Sequence, residues 1–455
     1  MSEQINIAEI KKAYFIGIGG IGMSALARYF LSIGIKVFGY DRTPTTLTGS
    51  LITEGCTIFY DDRLSSCLDD VDIVVYTPAI SADSEIKKFY LNLGLPFLKR
   101  SEVLGLISKD TYNICVAGTH GKTTISTMVA HVLRDSGYGC NAFLGGISSN
   151  YNTNFWSSPN HCTVIEADEY DRSFLKLHPN VISISSMDPD HLDIYGTKEA
   201  MEEAFMTFAE RLNPKGLLLT KKGLSKEAEF KFSHHLTYHV EQLDANIHTT
   251  DLRVSNGAYI FNVQGPDWEI KEVNLNMGGI HNVENSLVAI AISKYLGISD
   301  EKIVSAVASF KGVKRRFEYV VKTAQHVYID DYAHHPEELN ALISSSKKLY
   351  PEKQCTIIFQ PHLFSRTRDL VEGFAKSLSM ADKVVLLPIY PARELPIEGV
   401  TSALIADKMN ADVALLDFEK VGAYVKDANP SLLITAGAGN IDQWVEPIKK
   451  LLMNQ

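Results

Sequence analysis

Short apolar runs, each closed by glycine or an acid and followed by a stretch of helical period, recur along this chain. The first series reads "AYFIGIG", "KVFGYD", "TIFY" and "DIVVYTP" with helical stretches between, which predicts a parallel βαβ sheet. The second opens at "NICVAGTHGKTT". It continues through buried-strand candidates "CTVIEAD", "VISISSM" and "GLLLT" to a helix start at "HNVENS". The third carries "HVYIDDY", "CTIIFQP", "KVVLLPI" and "LLITAGAG", again with helical stretches between. The pattern predicts an α/β protein in three units, residues 1–107, 108–312 and 313–455. No short repeat or low-complexity tract interrupts it.

Composition narrows the class. The 455 residues are 45% hydrophobic and 22% charged, with a net charge of −10. That balance suits a globular protein and argues against a nucleic-acid partner, which would ask for a basic face. An acidic chain that handles anionic nucleotides must do so with local glycine, Lys, Arg and metal. The six cysteines form no C-x-x-C pair and several lie in apolar runs, so they read as free thiols of a reducing compartment. The N-terminal "MSEQINIAEIKK" has no apolar h-region, and no run is long and apolar enough to span a membrane. A cytoplasmic enzyme without membrane insertion is expected. Composition leaves monomer and homodimer open.

Two glycine-rich turns carry the first chemistry. Gly17, Gly19 and Gly22 satisfy G-x-G-x-x-G after a strand, with Gly20 inside the turn, and Asp41 closes the next strand 19 residues after Gly22. By itself this fingerprint fits a nicotinamide dinucleotide as well as any other diphosphate. The second turn, "VAGTHGKTT", leads from a strand into a helix opened by Lys122 and Thr123. It departs from the P-loop pattern because Val116 holds the first glycine position and a glycine follows at 118. The physical arrangement is nonetheless that of a P-loop: backbone amides and a helix end cradle phosphates, Lys122 reaches the β/γ oxygens and the Thr123 hydroxyl can take Mg²⁺.

A phosphate loop needs a metal partner. "VIEADEYDRSF" supplies Glu166, Asp168, Glu169 and Asp171, and "SMDPDHLDIYG" supplies Asp188, Asp190, His191 and Asp193. Mg²⁺ takes only one or two protein carboxylates, so most of these acids are solvated or structural. Spacing leaves Glu166 and Glu169 open as the ligand. Asn282 and Asn285, three apart at a helix start, suit a base edge; Arg315 and Arg316 suit phosphate; Asp330 and Asp331 end a strand, where open α/β sheets bind ligands. His334 and His335 read as a helix entrance in preference to a zinc site.

These motifs in this order resemble the Mur ligases, the ATP-dependent amide ligases of peptidoglycan precursor synthesis. "GIGGIGMSALA", "AGTHGKTT", "EADEYDRSF", "PDHLDIYG", "HNVENS", "KRRFE", "DDYAHHPEE", "FQPHLFSRTRDL" and "AGAGN" carry the resemblance from residue 16 to 440. It implies a Rossmann-like UDP-binding unit, a central P-loop ATPase unit and a Rossmann-like C-terminal unit. It also implies ATP and Mg²⁺ as cofactors, with UDP-N-acetylmuramate and L-alanine as substrates. On this resemblance the first turn (Gly17, Gly19, Gly20, Gly22) receives the diphosphate of the sugar nucleotide and Asp41 faces the uridine. ATP is held by Gly118, Thr119, His120, Gly121, Lys122, Thr123, Thr124, Asn282, Asn285, Arg316 and Asp331. Thr123, Glu166 and His191 serve metal; Lys122, His191 and Arg316 act in catalysis; His335 and His362 contact substrate. Several relatives carry a carbamylated lysine after the His191 position, and its absence from residues 199–214 agrees with the branch that adds L-alanine. One departure is Leu363, where relatives usually have Arg after "FQPH". A nicotinamide-dependent oxidoreductase, a non-catalytic P-loop module and a peptide-recycling ligase are the competing readings.

Overall fold

A computed structural model describes residues 5–392, 394–409 and 412–454. Three sheets follow one another along the chain. The first has spatial order Thr57–Phe59, Lys36–Tyr40, Lys12–Ile16, Ile73–Tyr76, Phe97–Lys99, all parallel. The order in which strands are added reverses at Lys12–Ile16, so the glycine turn after that strand and the turn after Ile73–Tyr76 open on one crevice, where open sheets bind ligands.

The second sheet has ten strands in the order Glu269–Leu275, Ala258–Gln264, Ile247–Ser255, His235–His239, Leu217–Lys221, Val181–Ile184, Tyr112–Ala117, Cys162–Glu166, Asn141–Ser148, Thr153–Trp156. The strand before the P-loop lies in its interior, between Val181–Ile184 and Cys162–Glu166. Both ends of this sheet are antiparallel, which the predicted parallel run does not include. The third sheet runs Glu318–Lys322, Val327–Asp331, Leu432–Ala436, Cys355–Phe359, Lys383–Leu386, Val413–Leu415, with only the first pair antiparallel. Cys355–Phe359 and Leu432–Ala436 are buried at every position, as strands covered on both faces must be, and this is why they read as unbroken apolar runs.

Shared apolar cores tie the sheets together. The helix Ile21–Ser32, which follows the first glycine turn, packs on the hairpin of the central sheet: Tyr29 lies 5.5 Å from Phe143 and 6.0 Å from Phe155 between ring centroids. Arg28 of the same helix is buried and hydrogen-bonds both Glu54 and Asn154, and Asn154 Nδ2 donates to Ile21 O at 2.6 Å. A second continuous core runs from Val129 and Phe310 through Phe317 and Ile329 to Phe359 and Phe374, joining the central and third sheets. Gly257 sits so close to Tyr350 that a side chain there would collide with the ring, and Tyr319 and Lys322 donate to the Gly257 carbonyl at 3.3 and 3.1 Å.

Candidate active site

The strand Tyr112–Ala117 ends at Gly118, whose φ of +128° and lack of room beside Ser185 admit only glycine. Gly121, at φ +82°, then starts the helix Lys122–Asp135, and no side chain caps that helix end. Its first amides are therefore available to an anion. The loop is braced from below: His120 N donates to Ser186 Oγ at 2.8 Å, and Thr119 and Ser186 exchange a hydroxyl bond of 2.9 Å. Thr119, Thr123 and Thr124 are buried in this turn, and His120 stands out in solvent beside Asp188 at 3.6 Å.

Thr123 Oγ1 donates to Glu166 Oε1 at 2.9 Å, and Gly145 N donates to Glu166 Oε2 at the same distance. A hydroxyl and a carboxylate at the mouth of a phosphate loop are hard oxygen donors of the kind Mg²⁺ takes. His191 lies in a separate group. It occupies φ +50° ahead of the short helix Leu192–Tyr195, and its ligand atom lies within 4.8 Å of those of Glu169 and Asp190. The three residues expected to serve metal thus divide into Thr123 with Glu166, and His191 with two acids. The Asp193 side chain lies outside the described residues.

Glu169 differs from its expected place. The strand Cys162–Glu166 stops at Glu166, so alternation no longer applies, and the chain turns Glu169 inward until it is wholly buried. Lys122 Nζ donates to Glu169 Oε1 and to Gly118 O, both at 2.7 Å. Burial pushes the Glu169 carboxyl above its usual range, and Lys122 opposes that shift. Its Oε2 has no hydrogen-bond partner among the described residues. Glu169 is the counter-ion of the P-loop lysine.

The opposite wall comes from the central helix Ile280–Tyr295 and the third sheet. Asn285 Nδ2 donates to Asn282 Oδ1 at 3.1 Å, Asn282 Nδ2 donates to Gly278 O at 2.7 Å, and the Asn285 carbonyl lies against Gly121. Each amide keeps a free N–H for a ligand. Both arginines line the cavity, and of the two only Arg316 makes no ion pair among the described residues. Arg315, at φ +60°, turns back to Asp330 (3.2 Å) and the Gly437 carbonyl. This pairing gives Arg315 a structural part at the cavity wall, and buried Asp330, which also accepts from Thr435 at 2.6 Å, does not line the cavity. Asp331 faces the cavity while accepting from Phe317 N (2.6 Å) and Ala333 N (2.7 Å); burial lifts its carboxyl to about 6 against those two donors.

These groups enclose about 730 Å³, lined by Thr119 to Thr124, Glu166, Asn282, Asn285, Arg316, Asp331 and His334. His334, not His335, lines it. His335 is the N-cap of helix Pro336–Leu349, with Glu338 accepting from both histidine amides, the helix entrance its spacing suggests. His362 stacks on Tyr390 (centroids 5.8 Å apart) and stands 6.1 Å from the His334 ring, with Arg366 at 3.4 Å; burial, then the Arg366 guanidinium, holds its pKa below the usual range. Leu363 adopts φ +71° and starts the helix Phe364–Asp369. His281, Phe317 and Tyr332, which lie inside the quoted motifs but were given no role, also line the cavity, as do Arg315, Glu337 and Glu338.

A second cavity of about 470 Å³ lies between the first and central sheets. Gly20 and Gly22 line it with Thr77, Lys99, Arg100 and Asp168. Gly17, Gly19 and Asp41 do not. Gly17 N donates to Tyr40 O at 2.8 Å and Gly19 N to Asp41 Oδ2 at 2.7 Å, so the acid expected at the uridine braces the turn from behind. Glu166 lines both cavities.

Three family models match successive parts of the chain. Residues 12–112 match the Mur ligase family catalytic domain, 116–293 the Mur ligase middle domain and 315–439 the Mur ligase glutamate ligase domain. The chain is 45% identical to the UDP-N-acetylmuramate–L-alanine ligase of Flavobacterium johnsoniae over 98% of its length and 99% of that protein's. The chain belongs to the Mur ligase family. The enzyme of the same name from Phocaeicola vulgatus is 44% identical, again over 98% and 99% of the two chains. Among solved structures, the UDP-N-acetylmuramate–alanine ligase of Thermotoga maritima superposes with a TM-score of 0.84 at 27% identity, covering 97% of this chain and 99% of that one. The murein peptide ligase of Psychrobacter arcticus shares the fold, with a TM-score of 0.65 at 21% identity over 98% and 99%. Mur ligases are ATP-dependent enzymes. Among the described residues no helix is long and apolar enough to cross a membrane.

Proposed function

We infer that this chain is an ATP-dependent ligase that joins L-alanine to the lactyl carboxylate of UDP-N-acetylmuramate. The observation that carries the reading is the placement of Glu166 on both cavities, with the phosphate loop on one side and the crevice of the first sheet on the other. A phosphoryl donor and a carboxylate acceptor can meet only at such a junction. The name and full-length similarity of the relatives supply the substrates; the division at residues 1–107, 108–312 and 313–455 gives each unit one of them.

In the reading proposed, ATP occupies the larger cavity with its phosphates on the amides from Gly118 to Thr124. Lys122 and Arg316 offset the charge that spreads over the transferring phosphoryl group. Asn282, Asn285 and Asp331 hold the nucleoside end. Thr123 and Glu166 fit Mg²⁺ by donor chemistry, and His191 with Glu169 fits a second hard cation; bound there, the ion would neutralise phosphate charge. The lactyl carboxylate attacks the γ-phosphorus, ADP departs, and an acyl phosphate forms. The alanine amine attacks the acyl carbon and phosphate leaves with the former carboxylate oxygen. Arg366, beside the His334 and His362 rings, offers the cation that an amino-acid carboxylate needs. The cell interior, where ATP and sugar nucleotides occur together, is the matching compartment. Phosphate release should require UDP-N-acetylmuramate, ATP and an amino acid together, with L-alanine preferred over L-serine, glycine and short peptides. Equal or greater turnover with a peptide would favour the recycling reaction.

A further inference from the structure

We propose that Arg100 is the cation that takes the diphosphate of the sugar nucleotide, and that Asp168 is the anion it holds until that diphosphate arrives. This rests on reading the smaller cavity as the sugar-nucleotide cleft. The lining of that cavity includes two cations, Lys99 and Arg100, against three acids, Glu166, Asp168 and Asp171. A diphosphate adds further negative charge to a cleft that is already net negative. One or both cations must therefore exchange a carboxylate for phosphate.

The two pairs are unequal. Lys99 meets Asp171 at 3.0 Å with both side chains about 40% exposed (39% and 42%), a water-screened surface pair. Arg100 is more enclosed, 23% exposed, and touches Asp168 through one terminal nitrogen at 3.3 Å. The rest of its planar fork is uncommitted, and that fork suits bidentate phosphate contact. Asp168 loses little on release: its other oxygen accepts from Tyr170 N at 3.0 Å, and it is 38% exposed to water.

Gly22 supplies an independent mark. A Cβ at Gly22 would lie 2.9 Å from Arg100 Cδ and 3.0 Å from its Nη1. In a dinucleotide turn the third glycine admits close packing of the helix on its strand. Here it clears the space in which the guanidinium of Arg100 lies, beside Gly20 and Gly22 on the cavity wall. The fingerprint thus gains a cation from the helix Arg100–Ile107, outside the motif itself.

Calorimetry of the full chain titrated with UDP, and separately with ATP, tests this. Arg100→Ala should weaken UDP about 10- to 100-fold, the usual cost of one charge-assisted hydrogen-bond partner, and Arg100→Lys should fall between. Asp168→Asn should bind UDP several-fold more tightly than the wild type, because the competing carboxylate is gone. ATP affinity should stay within about twofold in all three. An Arg100→Ala chain that binds UDP within twofold of the wild type overturns the inference, and so does an Asp168→Asn chain weakened like Arg100→Ala. A wild-type chain that binds ATP and no UDP overturns the cleft assignment together with the inference.

Discussion

Replacing Glu169 by Gln removes one charge from the buried pair under the phosphate loop and keeps its shape. At 2.7 Å the Lys122–Glu169 attraction is about 6 kcal/mol with an effective dielectric of 20, before desolvation is subtracted. Breaking one side of a buried pair costs about 3–5 kcal/mol. Glu169 is fully enclosed, but Lys122 is 15% exposed at the wall of a cavity that water can enter, so the lower end applies. The nucleotide-free variant should lose about 3 kcal/mol, which at about 2–4 °C per kcal/mol for a unit of this size is about 6–12 °C in melting midpoint. Bound nucleotide supplies Lys122 with a new anion. Melting with a saturating non-hydrolysable ATP analogue should therefore close at least half of the gap to the wild type. Equal melting without nucleotide, or a gap that nucleotide leaves unchanged, refutes the counter-ion role.

Lys122→Ala should nearly abolish ligation while the chain stays folded, because the transferring phosphoryl group loses its nearest fixed charge, typically several kcal/mol of barrier; steady-state phosphate release checks it. Glu166→Gln should cut turnover severely and raise the Mg²⁺ concentration needed for half-maximal rate, read from Mg²⁺ titrations, since a neutral amide replaces the charged donor beside Thr123. Burial lifts the Asp330 carboxyl to about 7, opposed chiefly by Arg315. The folded state then holds a proton that the unfolded chain releases near pH 4, so this contribution is full below about pH 4 and lost as pH rises through about 7. The stability difference between wild type and Asp330→Asn, measured by denaturation across that range, should fall with rising pH; a flat or rising difference contradicts the assignment.

What was legible in the sequence was what sits in one contiguous stretch. Lys122 and Thr123 follow their glycines directly, and the buried strands announce themselves as apolar runs, so the P-loop and the three α/β series were readable. Glu169 was not, because its role arises only after the strand ends at Glu166 and the chain folds back on Lys122. Arg315 and Arg316 are chemically alike and line the same cavity; only the fold shows that Arg315, at φ +60°, is paired with Asp330. Asp41 stood at the expected spacing, yet its carboxylate meets the Gly19 amide instead of the cleft. Arg100 lies in no motif, and only the approach of the first sheet to the loop after Glu166 reveals it. The hairpin joining Ile247–Ser255 to Ala258–Gln264 carries an Asn256-Gly257 turn signal, which a reading tuned to parallel units passes over.

The most direct test of the central claim is isotopic. UDP-N-acetylmuramate labelled with ¹⁸O in its lactyl carboxylate, incubated with ATP, Mg²⁺ and L-alanine, should transfer one ¹⁸O to the released phosphate, and release should stop when the sugar nucleotide is withheld. Alanine-dependent product formed with no ¹⁸O in phosphate, or phosphate release indifferent to the sugar nucleotide, would contradict the account.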